Sequence, residues 1–293
     1  MIYQEQPKRV RHPGSRPVGS RSPAGHFEEH RVRTIATLIV RGGSKRLPRK
    51  NVRDFCGLPL MAWTIIQAKC SHLIDEVWIS TDDLEMADIG RDFGANVVMR
   101  PDWPDADTVS GQRPTMHALK AALEQGPVDC FVGMLATHPL RKPDDLDRIV
   151  TAFYQTDAPG VGVMVPRRET VLYEKVGDGI QLSIFDKSYR YYDCLGGSGA
   201  TDPQWWIDQT EKMVDVTDAV LDAAIVKVAE DRTGPVGPFI TFDMWQHADT
   251  DTLDEFDVAA LKMEHFILKG RGAHVYYEYA DPYRGAVGNW RQL

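Results

Sequence analysis

The chain is poor in cysteine, in basic excess and in long apolar runs, and each shortage closes off a class of function. Cys56, Cys70, Cys130 and Cys194 are its only cysteines, widely spaced and without a CxxC pair, which argues against a disulfide framework or a zinc site and for buried free thiols. A formal net charge of -8 offers no basic face for a nucleic-acid backbone, so any phosphate must be held at a local cluster of cations. No window approaches the ~20 apolar residues of a membrane helix, and the N-terminus lacks the apolar stretch of a signal peptide. The expectation is a soluble, cytoplasmic protein with no nucleic-acid or membrane partner.

What is present begins with bulk. The 293 residues, 43% of them apolar, suffice for one large α/β core. Residues 1–33 are rich in Pro, Gly, Ser, Arg and His and read as a flexible N-terminal tail, because they carry too little apolar surface to offset their ordering entropy. From Thr34 onward, short β-branched runs alternate with amphipathic segments, the pattern of a mostly parallel sheet covered by helices. Strands are expected at Ile35–Val40, Val77–Thr81, Asn96–Met99, Cys130–Leu135, Val161–Val165 and, returning late, Ala223–Val228. Helices are expected at Pro59–Cys70, at Leu84–Phe93 behind the capping acids Asp82 and Asp83, and at Thr252–Ile267. Between about 166 and 216 the regularity weakens, and this stretch reads as an insertion or dimerisation arm bearing exposed Trp205 and Trp206.

The richest chemistry follows the first strand. Paired Gly42 and Gly43 let the backbone turn and aim N–H groups at an anion, while Arg41, Lys45, Arg46, Arg49 and Lys50 would repel one another without one. The spacing is neither a P-loop nor a dinucleotide fingerprint, which disfavours both of those classes. In a parallel sheet, ligands collect beyond the carboxyl ends of the strands, where this loop leaves the sheet. Ser80-Thr81-Asp82-Asp83 ends the second strand and suits either a base, ribose or metal, or a plain helix cap. Arg100-Pro101, Asp107 to Ser110 and the helix containing His117 are weaker signals. Far along the chain, Asp249 and Asp251 stand at i and i+2, where extended backbone turns both carboxylates to one side for a hard cation. Asp254, Glu255 and Asp257 read as first-turn and surface acids of the helix that follows.

The order of these motifs resembles the CMP-sialic acid synthetase (acylneuraminate cytidylyltransferase) family over roughly residues 34–268. Arg41-Gly42-Gly43-Ser44-Lys45 with Lys50-Asn51 is similar to that family's ARGGSKxxPxKN loop. Gly57-Leu58-Pro59-Leu60, Ala62-Trp63-Thr64, Ser80-Thr81-Asp82-Asp83, Arg100-Pro101, Thr137-His138-Pro139-Leu140-Arg141 and Asp249-Thr250-Asp251-Thr252 follow in the family's order. The resemblance implies a three-layer α/β fold of the nucleotide-diphospho-sugar transferase (Rossmann-like) type, a homodimer, and CMP transfer from CTP to a sialic or other 3-deoxy-2-ulosonic acid. It implies Arg41, Gly42, Gly43, Ser44, Lys45, Lys50 and Asn51 on the triphosphate, with Thr81 and Asp82 nearby, and Arg100 and Ser110 on the cytosine. Asp249 and Asp251 would bind Mg2+, and Arg41, Lys45, Lys50 and Asp251 would carry the catalytic charge.

Departures lie on the acceptor side, where His138, Arg141, Lys142 and Arg190 are the candidate contacts. Leu135 and Ala136 stand where the family has glutamine and proline, His138 replaces serine, and Asp222 replaces an amide. Another acceptor such as 3-deoxy-octulosonate or a phosphonate, a nucleotide-sugar glycosyltransferase, and a catalytically silent nucleotide-binding protein therefore stay open as alternatives.

Overall fold

A computed structural model describes residues 32–103, 112–167, 170–176, 179–186, 192–194, 199–213, 237–271 and 273–284. Ser110, Arg190, Asp222, the expected strand Ala223–Val228 and residues 1–31 of the expected tail lie outside the described residues.

The first β-branched run forms β1 (Thr34–Ile39), followed by a tight hairpin of β2 (Asp54–Phe55) and β3 (Leu58–Pro59) and by helix α1 (Leu60–Cys70). The hairpin turns through Cys56 and Gly57, both at positive φ, and at 91° Gly57 occupies a conformation that other residues rarely adopt. Next come β4 (Glu76–Thr81), α2 (Leu84–Asp92), β5 (Asn96–Met99), α3 (Gln112–Glu124), β6 (Cys130–Met134), α4 (Asp145–Tyr154) and β7 (Gly160–Pro166). In the irregular region, β8 (Thr170–Val176) and β9 (Gly179–Asp186) pair only with each other, while β10 (Tyr192–Cys194) and β11 (Gly199–Thr201) return to the main sheet ahead of α5 (Pro203–Met213). The C-terminal part adds β12 (Phe239–Thr241), α6 (Leu253–Lys262), a π-helical stretch Met263–Arg271 and α7 (Ala273–Arg284).

The main sheet has the order β10-β7-β11-β6-β1-β4-β5, with β12 beside β7. β6, β1, β4 and β5 run parallel, whereas β11 is antiparallel to both β6 and β7, so β7 and its parallel neighbour β12 share the common direction. Ile39, Thr81, Met99, Met134 and Thr241 therefore all end at one edge. The chain runs outward from β1 to β4 and β5 and then reverses to β6, so the crevice between β1 and β6 is the topological switch point at which such sheets bind ligands.

Alternation along the strands builds a core on each face. Ile35, Trp78 and Phe131 point towards Ala118, Leu119 and Ala122 of α3 and Ile207 of α5. Ala36, Leu38, Val77, Ile79 and Val132 point towards α1, α2, α4 and α6. With both faces covered, the inner strands are apolar nearly throughout, as parallel strands usually are.

Three sequence-based readings are corrected. Helix α1 is buried on all sides from Leu60 to Ala68 and is not half-exposed, because α7, which the periodicity did not reveal, contributes Tyr276 to the same core. The expected final helix is α-helical only to Lys262 and then widens into the π-helical stretch. Arg33 belongs to the folded body: its guanidinium meets Glu76 at 2.8 and 2.9 Å and the carbonyls of Ala122 and Gly126 at 3.0 and 2.9 Å. The thiols of Cys56, Cys70 and Cys130 are free, and burial pushes those of Cys56 and Cys70 up to about 12, which keeps them protonated at neutral pH. Among the described residues, no helix is long and apolar enough to cross a membrane.

Candidate functional site

The basic loop leaves β1 at the switch point and is held in shape by carboxylates. Val40 N–H donates to the Ser80 carbonyl at 3.2 Å, and Gly42 N–H donates to Asp82 Oδ1 at 2.9 Å. Asp83 caps α2, accepting from Met86 N–H at 3.0 Å, and also pairs with the Arg49 guanidinium, which in turn reaches Glu85. Arg49, ahead of that cap, holds the Asp83 carboxyl well below the usual carboxylate range. A β-carbon on Gly42 would lie 2.6 Å from Asp83 Oδ2, so the pinned carboxylate leaves room only for glycine; at Gly43 a β-carbon would meet nothing within 4 Å. Arg49 itself sits at φ 55°, and Asn51 Nδ2 donates to the Arg41 carbonyl at 3.3 Å, folding the far end of the loop back on its start. Lys45 and Gly43 are exposed on its outer side, and Arg41 and Ser44 are half-buried.

A second contact joins this loop to the acidic pair. Lys50, itself buried, places Nζ on Asp251 Oδ1, and Arg46 meets Asp251 Oδ2 at 2.5 Å. Burial by itself would raise the Asp251 carboxyl, but Lys50, with Arg46 and His138 adding, holds it below the usual range. The approach has a local cause. Thr252 and Glu255 form a capping box that starts α6, and Phe256 of that helix packs edge-on against Phe55 of β2 at 5.2 Å. Phe55 lies just after Lys50-Asn51 in the chain, so docking α6 brings the residues before its cap onto the loop.

Around Thr250 the chain alternates: Asp249 is exposed, Thr250 is fully buried and Asp251 is half-buried. Both carboxylates thus stand outward of one buried residue. Among the described residues, no three His, Cys, Asp or Glu side chains gather to cage a metal. Two hard carboxylates without a protein cage are the donor set that Mg2+ accepts when substrate phosphates complete its shell.

Arg100 anchors a third part of the site. Its Nε donates to Ser80 Oγ at 3.0 Å and its Nη2 to the Ser80 carbonyl at 2.8 Å, and burial lowers its pKa to about 10, which leaves it charged at neutral pH. Thr81 is placed differently from expectation: fully buried, its hydroxyl accepts from Asp83 N–H at 3.2 Å and serves the α2 cap. Asp82 is exposed at the loop mouth.

On the acceptor side, the structure brings His138 within electrostatic reach of Asp251. Arg141 is a correction. It has no exposed surface; Nη1 donates to Gln67 Oε1 at 3.1 Å and Nη2 to the Leu135 carbonyl at 3.4 Å, so it braces the loop after β6 from beneath. Lys142 lies 3.6 Å from Asp243 and 3.9 Å from Asp145. Trp206 is corrected too, since it packs on Phe131 at 5.3 Å, leaving Trp205 as the exposed member of the pair.

Sequence reading missed Gln246 and Asp145. Gln246 Nε2 donates to the Leu140 carbonyl at 2.9 Å and to Asp145 Oδ2 at 2.6 Å, tying the segment before Asp249 to the loop after His138. Asp243-x-x-Gln246 is a capping-box spacing, and that pattern was the available signal.

Comparisons with known proteins give the chain a family and a fold. The chain matches the family profile described as Cytidylyltransferase over residues 35–235. It is 32% identical over 129 residues to pseudaminic acid cytidylyltransferase of Campylobacter jejuni, a match covering 43% of this chain and 56% of that protein. It is 31% identical over 125 residues to N-acylneuraminate cytidylyltransferase B of Danio rerio, covering 43% of this chain and 28% of that protein. The chain therefore spans about half or less of the length of these relatives. Among solved structures, the fold is similar to CMP:2-keto-3-deoxy-manno-octonic acid synthetase complexed with CTP, with a TM-score of 0.55 at 16% identity over 79% of this chain and 98% of that one.

Proposed function

The chain belongs to the cytidylyltransferase family, and from that premise we propose that it transfers CMP from CTP to a sialic acid or another nonulosonic, 3-deoxy-2-ulosonic acid, releasing pyrophosphate. The observation that carries the reading is the meeting of Lys50 and Arg46 with Asp251 at the carboxyl edge of the sheet. One locus there offers cations for a triphosphate beside carboxylates for a hard cation.

In this reading Gly42, Gly43, Ser44, Lys45 and Arg41 line the triphosphate, and Lys50 spreads positive charge over the reacting phosphate as the acceptor hydroxyl attacks. Asp249 and Asp251 would hold Mg2+, which when bound neutralises phosphate charge and orients the leaving pyrophosphate. Lys50 and Asp251 hold each other at the site before substrate arrives, and both exchange partners as phosphate and metal bind. Arg100 faces the base and His138 the acceptor. A homodimer is part of the proposal, supported by the exposed Trp205 and by the β8–β9 hairpin standing apart from the main sheet.

Pyrophosphate release should be followed with CTP, Mg2+ and a panel of 2-keto-3-deoxy acids, with Asp251→Ala as control. Release with one acceptor, lost in the variant, is the expected outcome. CTP binding without release for every acceptor would favour the silent nucleotide-binding protein, for which the replaced residues Leu135 and Asp222 speak.

A further inference from the structure

The helix carrying His117 found no place in the reading above, yet it touches the site through one buried hydroxyl. Ser80 is fully buried, and its Oγ lies within hydrogen-bond distance of Arg100 Nε at 3.0 Å and of His117 Nδ1 at 3.2 Å. A guanidinium only donates, so Ser80 Oγ accepts from Arg100. If His117 also donated from Nδ1, the buried hydroxyl proton would lack an acceptor, and a buried unpaired donor is costly. The network closes with Ser80 O–H donating to an unprotonated Nδ1, which puts the imidazole proton on Nε2.

The surroundings hold that arrangement. Trp103 packs edge-on against the imidazole at 5.9 Å and is covered by the Arg113 guanidinium at 4.4 Å. Burial first, and then the charge of Arg100, lower the His117 pKa and keep the ring neutral. Arg100 is the charged group bearing on the ring, and Asp82 and Arg41 in turn bear on Arg100. With Nε on the Ser80 hydroxyl and Nη2 on the Ser80 carbonyl, the guanidinium plane is fixed at two points, and Nη1 makes no hydrogen bond to a described residue.

We propose that His117 is a positioning residue that acts through the Ser80 hydroxyl to hold Arg100 as an immobile donor, one that selects cytosine over uracil. The inference rests on the reading of this site as a CTP site. Cytosine presents two adjacent acceptors, O2 and N3, to such a donor. Uracil carries N–H at position 3, and a donor that cannot rotate away meets another donor there. A mobile guanidinium would turn to a uracil carbonyl instead, so selectivity depends on the lock.

The test uses the full chain, with CTP and UTP as probes, in binding titrations and in steady-state turnover. His117→Phe keeps a ring against Trp103 but removes the acceptor. It should raise KM for CTP about tenfold and cut the preference for CTP over UTP by a similar factor, while kcat stays within about twofold. His117→Asn sets a carbonyl oxygen near the place of Nδ1 and does not titrate. It should keep the neutral-pH KM and abolish the rise in KM expected of the parent protein as the pH falls below the ordinary histidine range. His117→Phe with KM and CTP preference intact, or His117→Asn with the parent's acid-side rise, would overturn the inference. Should His117→Phe fail to fold, the His117→Asn pH profile decides alone. A parent protein that binds CTP and UTP alike would instead overturn the CTP reading, and this inference with it.

Discussion

Lys50 sets its ammonium on the carboxylate of Asp251, 201 residues further along the chain, and with the neighbouring Arg46 contact joins the basic loop to the acidic pair. Both groups are largely withdrawn from water, Lys50 with 9% and Asp251 with 19% of the side chain exposed. Removing either leaves its partner's charge poorly solvated, which is why the contact bears on stability as well as chemistry.

Asp251→Asn should therefore do two things. Pyrophosphate release should fall by about a hundredfold or more, in the range seen when charge stabilisation is removed from a transferring phosphate. Stability without ligand should drop by about 1–3 kcal/mol, because Lys50 loses its countercharge. Denaturant titration and turnover measured side by side check both, and full activity in the variant would remove Asp251 from the metal site.

The two loop glycines should respond differently. Gly42→Ala forces a methyl onto the Asp83 carboxylate, which the α2 cap and Arg49 hold still, so the loop must shift and CTP binding should weaken at least about tenfold. Gly43→Ala meets open space and should leave the ligand-free fold unchanged. Calorimetric CTP titration of both variants separates them; equal losses would mean that both glycines serve close approach of the phosphate.

Phe256 makes a prediction about placement. It is 4% exposed and packs on Phe55, so Phe256→Ala should cost about 3–5 kcal/mol by thermal or urea unfolding. Since this packing docks α6, the same variant should also need more Mg2+ for half-maximal turnover. Unaltered Mg2+ dependence would show that the acidic pair is placed by the Gln246–Asp145 link instead.

Acid should loosen the loop in a defined direction. The folded chain holds the carboxyls of Asp83 and Asp251 below their usual range. Their contribution to stability is therefore present above the unfolded carboxylate pKa of about 3.9 and is lost as the pH falls through the lower folded-state values. Urea unfolding from about pH 6 down to about pH 2 should show this acid limb. Asp83→Asn should shrink it, and an unchanged limb would mean that the Arg49–Asp83 pair contributes nothing.

Much of the fold was legible because its signals are local. The β-branched runs of β1, β4, β5, β6 and β7 lie within a residue or two of their expected bounds, and the capping acid Asp83 before α2 and the first-turn acids Asp254 and Glu255 of α6 mark real helix starts. The Arg41 to Asn51 loop and the Asp249–Asp251 pair were legible for the same reason: glycine, cation and carboxylate spacing is written within a dozen consecutive residues. Burial was harder to read. Helix α1 looks amphipathic until α7 covers it, and Arg141 looks like a substrate contact until Gln67 and the Leu135 carbonyl enclose it.

The sequence by itself determined the alternation of strands and helices, the edge at which the basic loop emerges, and the two charge clusters, since each depends on the conformational preferences of neighbouring residues. Only the tertiary structure decided that Lys50 meets Asp251, that Ser80 links Arg100 to His117, and that Gln246 ties the acidic segment to the loop after β6. Those pairings span from 20 to 201 residues. They follow from how apolar faces such as Phe55 on Phe256 pack together, and local spacing along a chain carries no record of which distant face will cover which.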